Sequence, residues 1–315
     1  MTPDVSILMP MRNAAAFVAE SVRSVLAERS LALELIVIDD GSTDGSAEAV
    51  RGVADERVRI EPGPQRGIAP ALNAALQLSR GRYLHRCDSD DLIEPGYLAA
   101  QVAWLESHPE FAAVCGTYRM VDAHGRDLRR FHEGAVGAEI TEELRRGVTR
   151  THLGTWVLRG DVLRGLGGAR DYFSGVEDID IQLRVGTAGR VWFEPRCGYV
   201  YRLHGTSSTH TQPTPQREFL TDVARQFALQ RAAGEPDDLE RGRPPVVPSG
   251  GKAQRVDQHV QGMLVGRAWR QWRAGERKAA LGSAWEAVRA RPLASEGWRA
   301  LLGVALKPAP RGAAS

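Results

Sequence analysis

Within its first ninety residues the chain alternates short apolar runs with helical patterns, and each apolar run ends in a polar cluster. Val5-Ser6-Ile7-Leu8-Met9-Pro10 reads as a buried strand closed by proline. Arg12-Asn13-Ala14-Ala15 then opens a helical pattern through Phe17, Val18, Val22, Val25 and Leu26. Leu33 to Ile38 reads as a second strand, ending in Asp39-Asp40-Gly41-Ser42-Thr43-Asp44-Gly45-Ser46. A helix over 47–53 follows, with Ser46 or Asp44 as its cap. Val58-Arg59-Ile60 is a third strand, before Pro62-Gly63-Pro64-Gln65-Arg66-Gly67. A helix from Ile68 to Ser79 leads into a fourth, Tyr83 to Cys87, and then Asp88-Ser89-Asp90-Asp91. This alternation predicts an α/β fold, a mostly parallel sheet with helices on both faces. Ligands of such sheets bind beyond the carboxyl ends of the strands. Pro10 to Asn13, Asp39-Asp40 and Asp88 to Asp91 all fall at such ends.

Three carboxylates in four residues cannot be buried without a cation or a strong positive partner. Carboxylate oxygens at a strand end suit a hard divalent ion that also holds phosphate oxygens; a solvated turn is the competing reading. Glu177-Asp178 begins a helix carrying Ile179, Ile181, Leu183 and Val185, where acidic residues are a common capping choice. His204 is a metal ligand or a loop histidine. Arg202 holds a diphosphate or is an ordinary surface arginine. Trp156 stacks on a sugar or belongs to the core. No G-x-G-x-x-G or Walker loop is present, so dinucleotide and P-loop readings have no support.

The 315 residues have room for one large domain and an appendage. No run approaches the roughly 20 apolar residues that span a bilayer. The first strand begins almost at once, so no signal peptide is expected and the chain is placed in the cytoplasm, or peripherally at the inner face of the membrane. Cys87, Cys115 and Cys197 are odd in number and far apart, which predicts reduced core thiols and no zinc site. Residues 241–315 carry 14 Lys and Arg against 4 Asp and Glu, a net +10 in a chain whose total is +2. Breakers over 234–251 mark a linker between a domain at 1–233 and a helical appendage at 252–315. Trp269, Trp272, Trp285 and Trp298 lie in that basic tail, which would meet an anionic membrane, pack as helices, or form a dimer contact.

Pro10-Met11-Arg12-Asn13, Ile38 to Gly45, Gly81-Arg82-Tyr83 through Asp91, Gly175 to Asp180 and Tyr201-Arg202-Leu203-His204 occur in this order. Together, over roughly residues 4 to 210, they resemble the inverting family 2 glycosyltransferases of the GT-A fold, a Rossmann-like nucleotide-binding fold. Arg86 to Asp91, followed by a helix and His108-Pro109-Glu110, is similar to a bacterial branch that decorates cell-surface polysaccharide. Met11 and Gln65 depart from the tyrosine and asparagine usual in the family.

The resemblance implies a divalent metal, Mn²⁺ or Mg²⁺, with Asp90 as principal ligand, His204 as a second and Asp88 between ribose and metal. It implies that Asp40 reads the base, framed by Pro10 and Arg12. A carboxylate can accept from the imide N–H of uracil, so a UDP-sugar is the expected donor. Asn13, Gln65, Arg66, Ser89 and Arg202 complete the nucleotide-sugar set. Asp178 is the implied general base, with Glu177 orienting it or taking its place, and one in-line displacement inverts the anomeric carbon. His152 and Trp156 fall on the implied acceptor face. The acceptor would be a hydroxyl of a glycan or a lipid-linked glycan; no nucleic acid partner is expected. No Gln-x-x-Arg-Trp motif of processive synthases is present, which predicts addition of one sugar or a few. Two alternatives stand beside this: a sugar nucleotidyltransferase, which would want a glycine-rich basic loop where Pro10 to Ala14 lie, and a non-catalytic module binding glycan or protein.

Overall fold

A computed structural model of the chain describes residues 2–131, 135–205, 214–248, 256–273 and 275–307. They form two compact units. The first comprises 2–118, 131, 135–201 and 215–248, and the second 119–130, 202–205, 214, 256–273 and 275–307.

The first unit runs β1 (Val5–Met11), α1 (Val18–Leu26), β2 (Leu33–Asp39), α2 (Ser46–Arg51), β3 (Val58–Pro62), α3 (Ile68–Leu78), β4 (Tyr83–Arg86), β5 (Leu92–Ile93), α4 (Tyr97–Ser107) and β6 (Phe111–Asp122). The last residues of β6 and all of β7 (Asp127–Arg130) belong to the second unit. The first then continues with β8 (Ala138–Glu139), α5 (Thr141–Arg145), β9 (Trp156–Arg159), α6 (Gly160–Gly165), α7 (Glu177–Ala188), β10 (Arg190–Leu203) and α8 (Thr214–Ala232). Its strands pair in the order β3-β2-β1-β4-β9-β6-β10-β5, with β8 on β10.

Two-sided burial follows from the pleat, which sends successive side chains to opposite faces. Ile7 and Met9 of β1 and Leu35 and Val37 of β2 join one core cluster with Val18, Val22 and Val25 of α1 and Leu98 and Val102 of α4. Leu8, Ile36 and Ile38 join the other, with Leu72 and Leu76 of α3, Ile181 and Val185 of α7 and Phe227 of α8. Helices cover both faces, as expected. β3, β2, β1 and β4 pair in parallel. β9 is antiparallel to both β4 and β6, and β10 is antiparallel to β5 and β8. The sheet is therefore mixed, with its parallel half carrying the polar strand ends.

Pro10 does not close β1, which runs one residue further and pairs Met11 with Asp39. Leu8 turns its carbonyl toward β4, where it accepts from Cys87 N–H, so Pro10, two residues on, points the same way. The β4 ladder has already ended at Leu8 opposite Arg86. The missing proline N–H thus faces no strand partner and costs no ladder bond.

In the second unit, β7 pairs antiparallel with the end of β6 from Arg119 opposite Arg130. Helices α9 (Val256–Arg273), α10 (Arg277–Ala290) and α11 (Ser295–Leu306) pack around Ala268, Ala280, Ala284, Ala300 and Val304. The small residues let the helix backbones approach closely. Gly297 shows this most clearly: a Cβ there would lie 2.9–3.0 Å from the backbone of Ala287 and Val288.

Candidate active site

The loops after β1 and β2 are tied to each other. Asn13 takes a left-handed backbone, φ 51°, which asparagine tolerates better than most residues. Its N–H donates to Ser42 Oγ at 2.9 Å, and its Oδ1 accepts from Thr43 N–H at 2.9 Å. Asp44 accepts from Ala15 N–H at 3.0 Å, and Asp39 accepts from Ser42 N–H at 2.9 Å, which closes a turn. Pro10 is buried and Arg12 is exposed beside this scaffold.

Asp40 is buried, and both of its oxygens serve the loop between β3 and α3. Oδ1 accepts from Gln65 N–H at 2.6 Å and Oδ2 from Gly67 N–H at 2.8 Å. Gly63 makes the approach possible, since a Cβ there would sit 2.9 Å from Asp40 Oδ1. Gln65 has φ 57°, and its side chain lies against Gly41. Arg66 is exposed and ion-paired with Asp171 at 2.7 Å.

The acidic run after β4 is satisfied from within the protein. Arg86 is buried and holds Asp88 through two bonds, Nε to Oδ1 at 2.7 Å and Nη2 to Oδ2 at 3.1 Å. Its remaining arm reaches Glu177 Oε1 at 2.8 Å, and Glu177 Oε2 accepts from Gly175 N–H at 2.6 Å. Asp91 is buried and accepts from the Tyr199 hydroxyl at 2.6 Å; that hydroxyl in turn accepts from Asp88 N–H at 3.3 Å. Ser89 is buried, with its carbonyl bonded by Ser21 Oγ at 3.0 Å. Asp88 and Asp91 thus have a guanidinium and a phenol as partners, neither of which is marked by the motif itself. An arginine two residues before the first aspartate, inside an otherwise apolar strand, is the one sequence signal that points to Arg86.

Electrostatics follow from these contacts. Burial works to raise the Asp88 pKa, but the Arg86 guanidinium outweighs it and holds the carboxyl below its ordinary range. Burial raises that of Glu177, the nearby Asp178 charge adds to it, and Arg86 opposes both. Asp178 is only partly buried and lies 4.0 Å, Oδ2 to Nε2, from His152. His152 accepts from Gly154 N–H through Nδ1 at 3.1 Å, which assigns its proton to Nε2, on the side of Asp178. Its ring stacks on Tyr199 at 5.6 Å. Burial lowers the imidazole pKa against the pull of Asp178, so the ring is neutral near pH 7.

Two expectations are corrected. Trp156 is fully buried in the core, with its indole N–H bonded to Thr151 Oγ1 at 3.1 Å, so it presents no face to an acceptor. Its place on β9, flanked by β4 and β6, is the reason. Cys87 and Cys115 are buried as expected, but Cys197 is exposed, because the buried alternation of β10 lapses over Pro195 to Cys197. The strong positive partner that burial of the acidic run calls for is Arg86. Arg202 and His204, in the second unit, are both buried at and just after the end of β10.

Among the described residues no three His, Cys, Asp or Glu side chains form a metal cage. Asp88 and Asp90 at the end of β4 offer hard oxygen donors, both half-buried. A partial donor set of this kind fits a cation that takes its other ligands from diphosphate and water.

The profile of the family described as Glycosyl transferase family 2 matches residues 6–173, more than half of the chain. The chain belongs to glycosyl transferase family 2. EpsE of Bacillus subtilis (strain 168), a provisionally named glycosyltransferase, is 34% identical over 195 residues, 58% of this chain and 66% of its own length. The chain spans only 25% and 21% of the chondroitin and hyaluronan synthases of Pasteurella multocida, which it also matches. Residues 1–349 of S. aureus TarS, solved with UDP-GlcNAc, superpose with a TM-score of 0.61 at 16% identity, covering 96% of this chain and 90% of that one. The mannosyltransferase PcManGT from Pyrobaculum calidifontis, solved with GDP-Man and Mn²⁺, gives 0.53 at 20% identity, over 97% and 81%. These likenesses identify the fold as GT-A.

Proposed function

We propose that the protein transfers a sugar from a nucleoside diphosphate sugar, a UDP-sugar, to a hydroxyl of a glycan or lipid-linked glycan, with inversion and without processive extension. The observation that carries this reading is the contrast between two adjacent carboxylates. Glu177 is immobilised by Arg86 and Gly175, while Asp178 stays partly exposed beside a neutral imidazole. A general base must be reachable by the proton it takes. Asp178 meets that condition and Glu177 does not.

Asp90, with Asp88, would hold a divalent cation, Mn²⁺ or Mg²⁺, which when bound neutralises the charge gathering on the departing diphosphate. Pro10, Arg12, Asn13 and the loop that Asp40 holds over Gln65 and Arg66 frame the base; the second lone pair on each Asp40 oxygen is available to an imide N–H. In the transfer, the acceptor oxygen attacks the anomeric carbon as Asp178 takes its proton. The new C–O bond forms on the face opposite the leaving group, and the anomeric C–O bond to diphosphate breaks with its electron pair on diphosphate. His152 Nε2 lies 4.0 Å from Asp178 Oδ2, on the side of the carboxylate that takes the proton. The domain reading of a catalytic part at 1–233 and a separate helical part at 252–315 accompanies this proposal.

Family membership favours this chemistry over a sugar nucleotidyltransferase or a non-catalytic module. Thermal stabilisation by UDP-sugars in Mn²⁺ or Mg²⁺, followed by NMR of the product anomer, tests it. Retention of configuration refutes the single displacement. Absence of metal-dependent stabilisation by any nucleotide sugar refutes the donor site.

A further inference from the structure

The four tail tryptophans divide into two pairs. Trp269 and Trp272 pack against the small-residue core of α9, α10 and α11. Trp285 of α10 and Trp298 of α11 are 49% and 42% exposed, and their rings meet edge to face at 6.1 Å. The Trp298 indole N–H is bonded within the unit, to Pro292 O at 2.9 Å, so its exposed surface is the apolar part of the ring. Leu302 and Leu306 follow at helical steps of four from Trp298 and are 55% and 79% exposed. The Trp285 ring thus extends the exposed apolar strip of α11, Trp298, Leu302 and Leu306, onto α10.

On these two helices basic residues outnumber acidic ones, Arg277, Lys278, Arg289 and Arg299 against Glu286 and Glu296. Lys278, Arg289 and Arg299 lie exposed on the same two helices, within a stretch of net +10. We propose that this strip is a docking surface for an anionic lipid bilayer, with the two indoles at headgroup depth and the basic residues on lipid phosphates. Tryptophan favours that interface because it pairs an apolar body with a polar edge. A second copy of the chain fits worse. A two-fold contact sets the same patch against itself, so it would bring two basic patches together. An anionic surface turns the same charges into attraction. Nothing in this inference depends on the proposed transfer reaction.

The test is cosedimentation of the full chain with vesicles of phosphatidylcholine alone and of phosphatidylcholine mixed with phosphatidylglycerol, which carry a negative surface potential. Binding is expected only to the anionic vesicles, and to weaken several-fold in high salt. Trp285→Ser with Trp298→Ser should lower partitioning at least about tenfold. Arg289→Glu with Arg299→Glu should do the same without removing the aromatic pair. Far-ultraviolet circular dichroism and its thermal melt report whether the variants stay folded. No binding to anionic vesicles at low salt overturns the proposal, as does binding that either pair of substitutions leaves unchanged. A concentration-dependent dimer that the tryptophan changes abolish, without vesicle binding, assigns the strip to a second copy instead.

Discussion

Arg86 Nη1 lies 2.8 Å from Glu177 Oε1, so a side chain at the end of β4 grips the first residue of α7. The same guanidinium holds Asp88, which fixes the acidic run after β4 and the acidic pair on α7 in one frame. Arg86→Met should cost about 3–5 kcal/mol of stability, because it strands buried carboxylates rather than removing a whole pair. Denaturant unfolding measures this. A loss under 1 kcal/mol, the scale of an exposed surface pair, would contradict it.

Asp178→Asn should retain nucleotide-sugar binding and lower kcat by about 10²-fold or more, the scale of a lost general base. Glu177→Gln is expected to act mainly on stability, since Glu177 is an ion-pair partner of Arg86. Steady-state kinetics beside thermal melts separate the two effects. Near-normal turnover in Asp178→Asn together with a collapse in Glu177→Gln would transfer the role to Glu177.

Asp90→Ala should abolish Mn²⁺- or Mg²⁺-dependent stabilisation by UDP while leaving the melting temperature without ligand near that of the parent. Chelation of the metal should have the same consequence in the parent protein. UDP should stabilise more than GDP; the reverse order would refute the uracil reading of the Asp40 loop. Calorimetric titration with each nucleotide gives the answer.

Tyr199→Phe removes the hydroxyl that donates to buried Asp91 and accepts from Asp88 N–H. Losing a hydrogen bond to a buried charged group should cost about 1.5–3 kcal/mol. Gly154→Ala should be harsher, as its Cβ would lie 2.3 Å from Tyr199 Cζ and push the ring off Asp91. If Gly154→Ala proves as stable as the parent, the ring position is not constrained as described.

His85 is fully buried and donates through Nδ1 to Trp156 O at 2.9 Å, while Nε2 has no hydrogen-bond partner. Burial lowers its pKa from 6.5 to about 4. Between those values the unfolded chain binds a proton that the folded chain does not, so stability falls as pH drops from 6.5 toward 4. The full effect is about 3 kcal/mol at about 1.4 kcal/mol per unit. His85→Asn, which can still donate to Trp156 O, should flatten this slope relative to the parent in urea titrations at stepped pH. Identical slopes would show that His85 titrates normally.

The sequence by itself determined the order of strands and helices and the positions of the polar strand ends. Periodicity is a local property: period two in Ile7, Met9, Leu35 and Val37, and helical spacing in Val18, Val22 and Val25, state which face is apolar before any partner is known. Partners across long separations are not local. Arg86 and Glu177 stand 91 residues apart, and Tyr199 and Asp91 stand 108 apart. Asp40 reads as a base contact in sequence, yet only the fold brings Gln65 and Gly67 to its oxygens. Trp156 and Trp285 share one composition signal, and packing alone put the first in the core and left the second at the surface. Tertiary structure decided these because burial and ion pairing depend on which distant surfaces meet, while propensity depends only on neighbours along the chain.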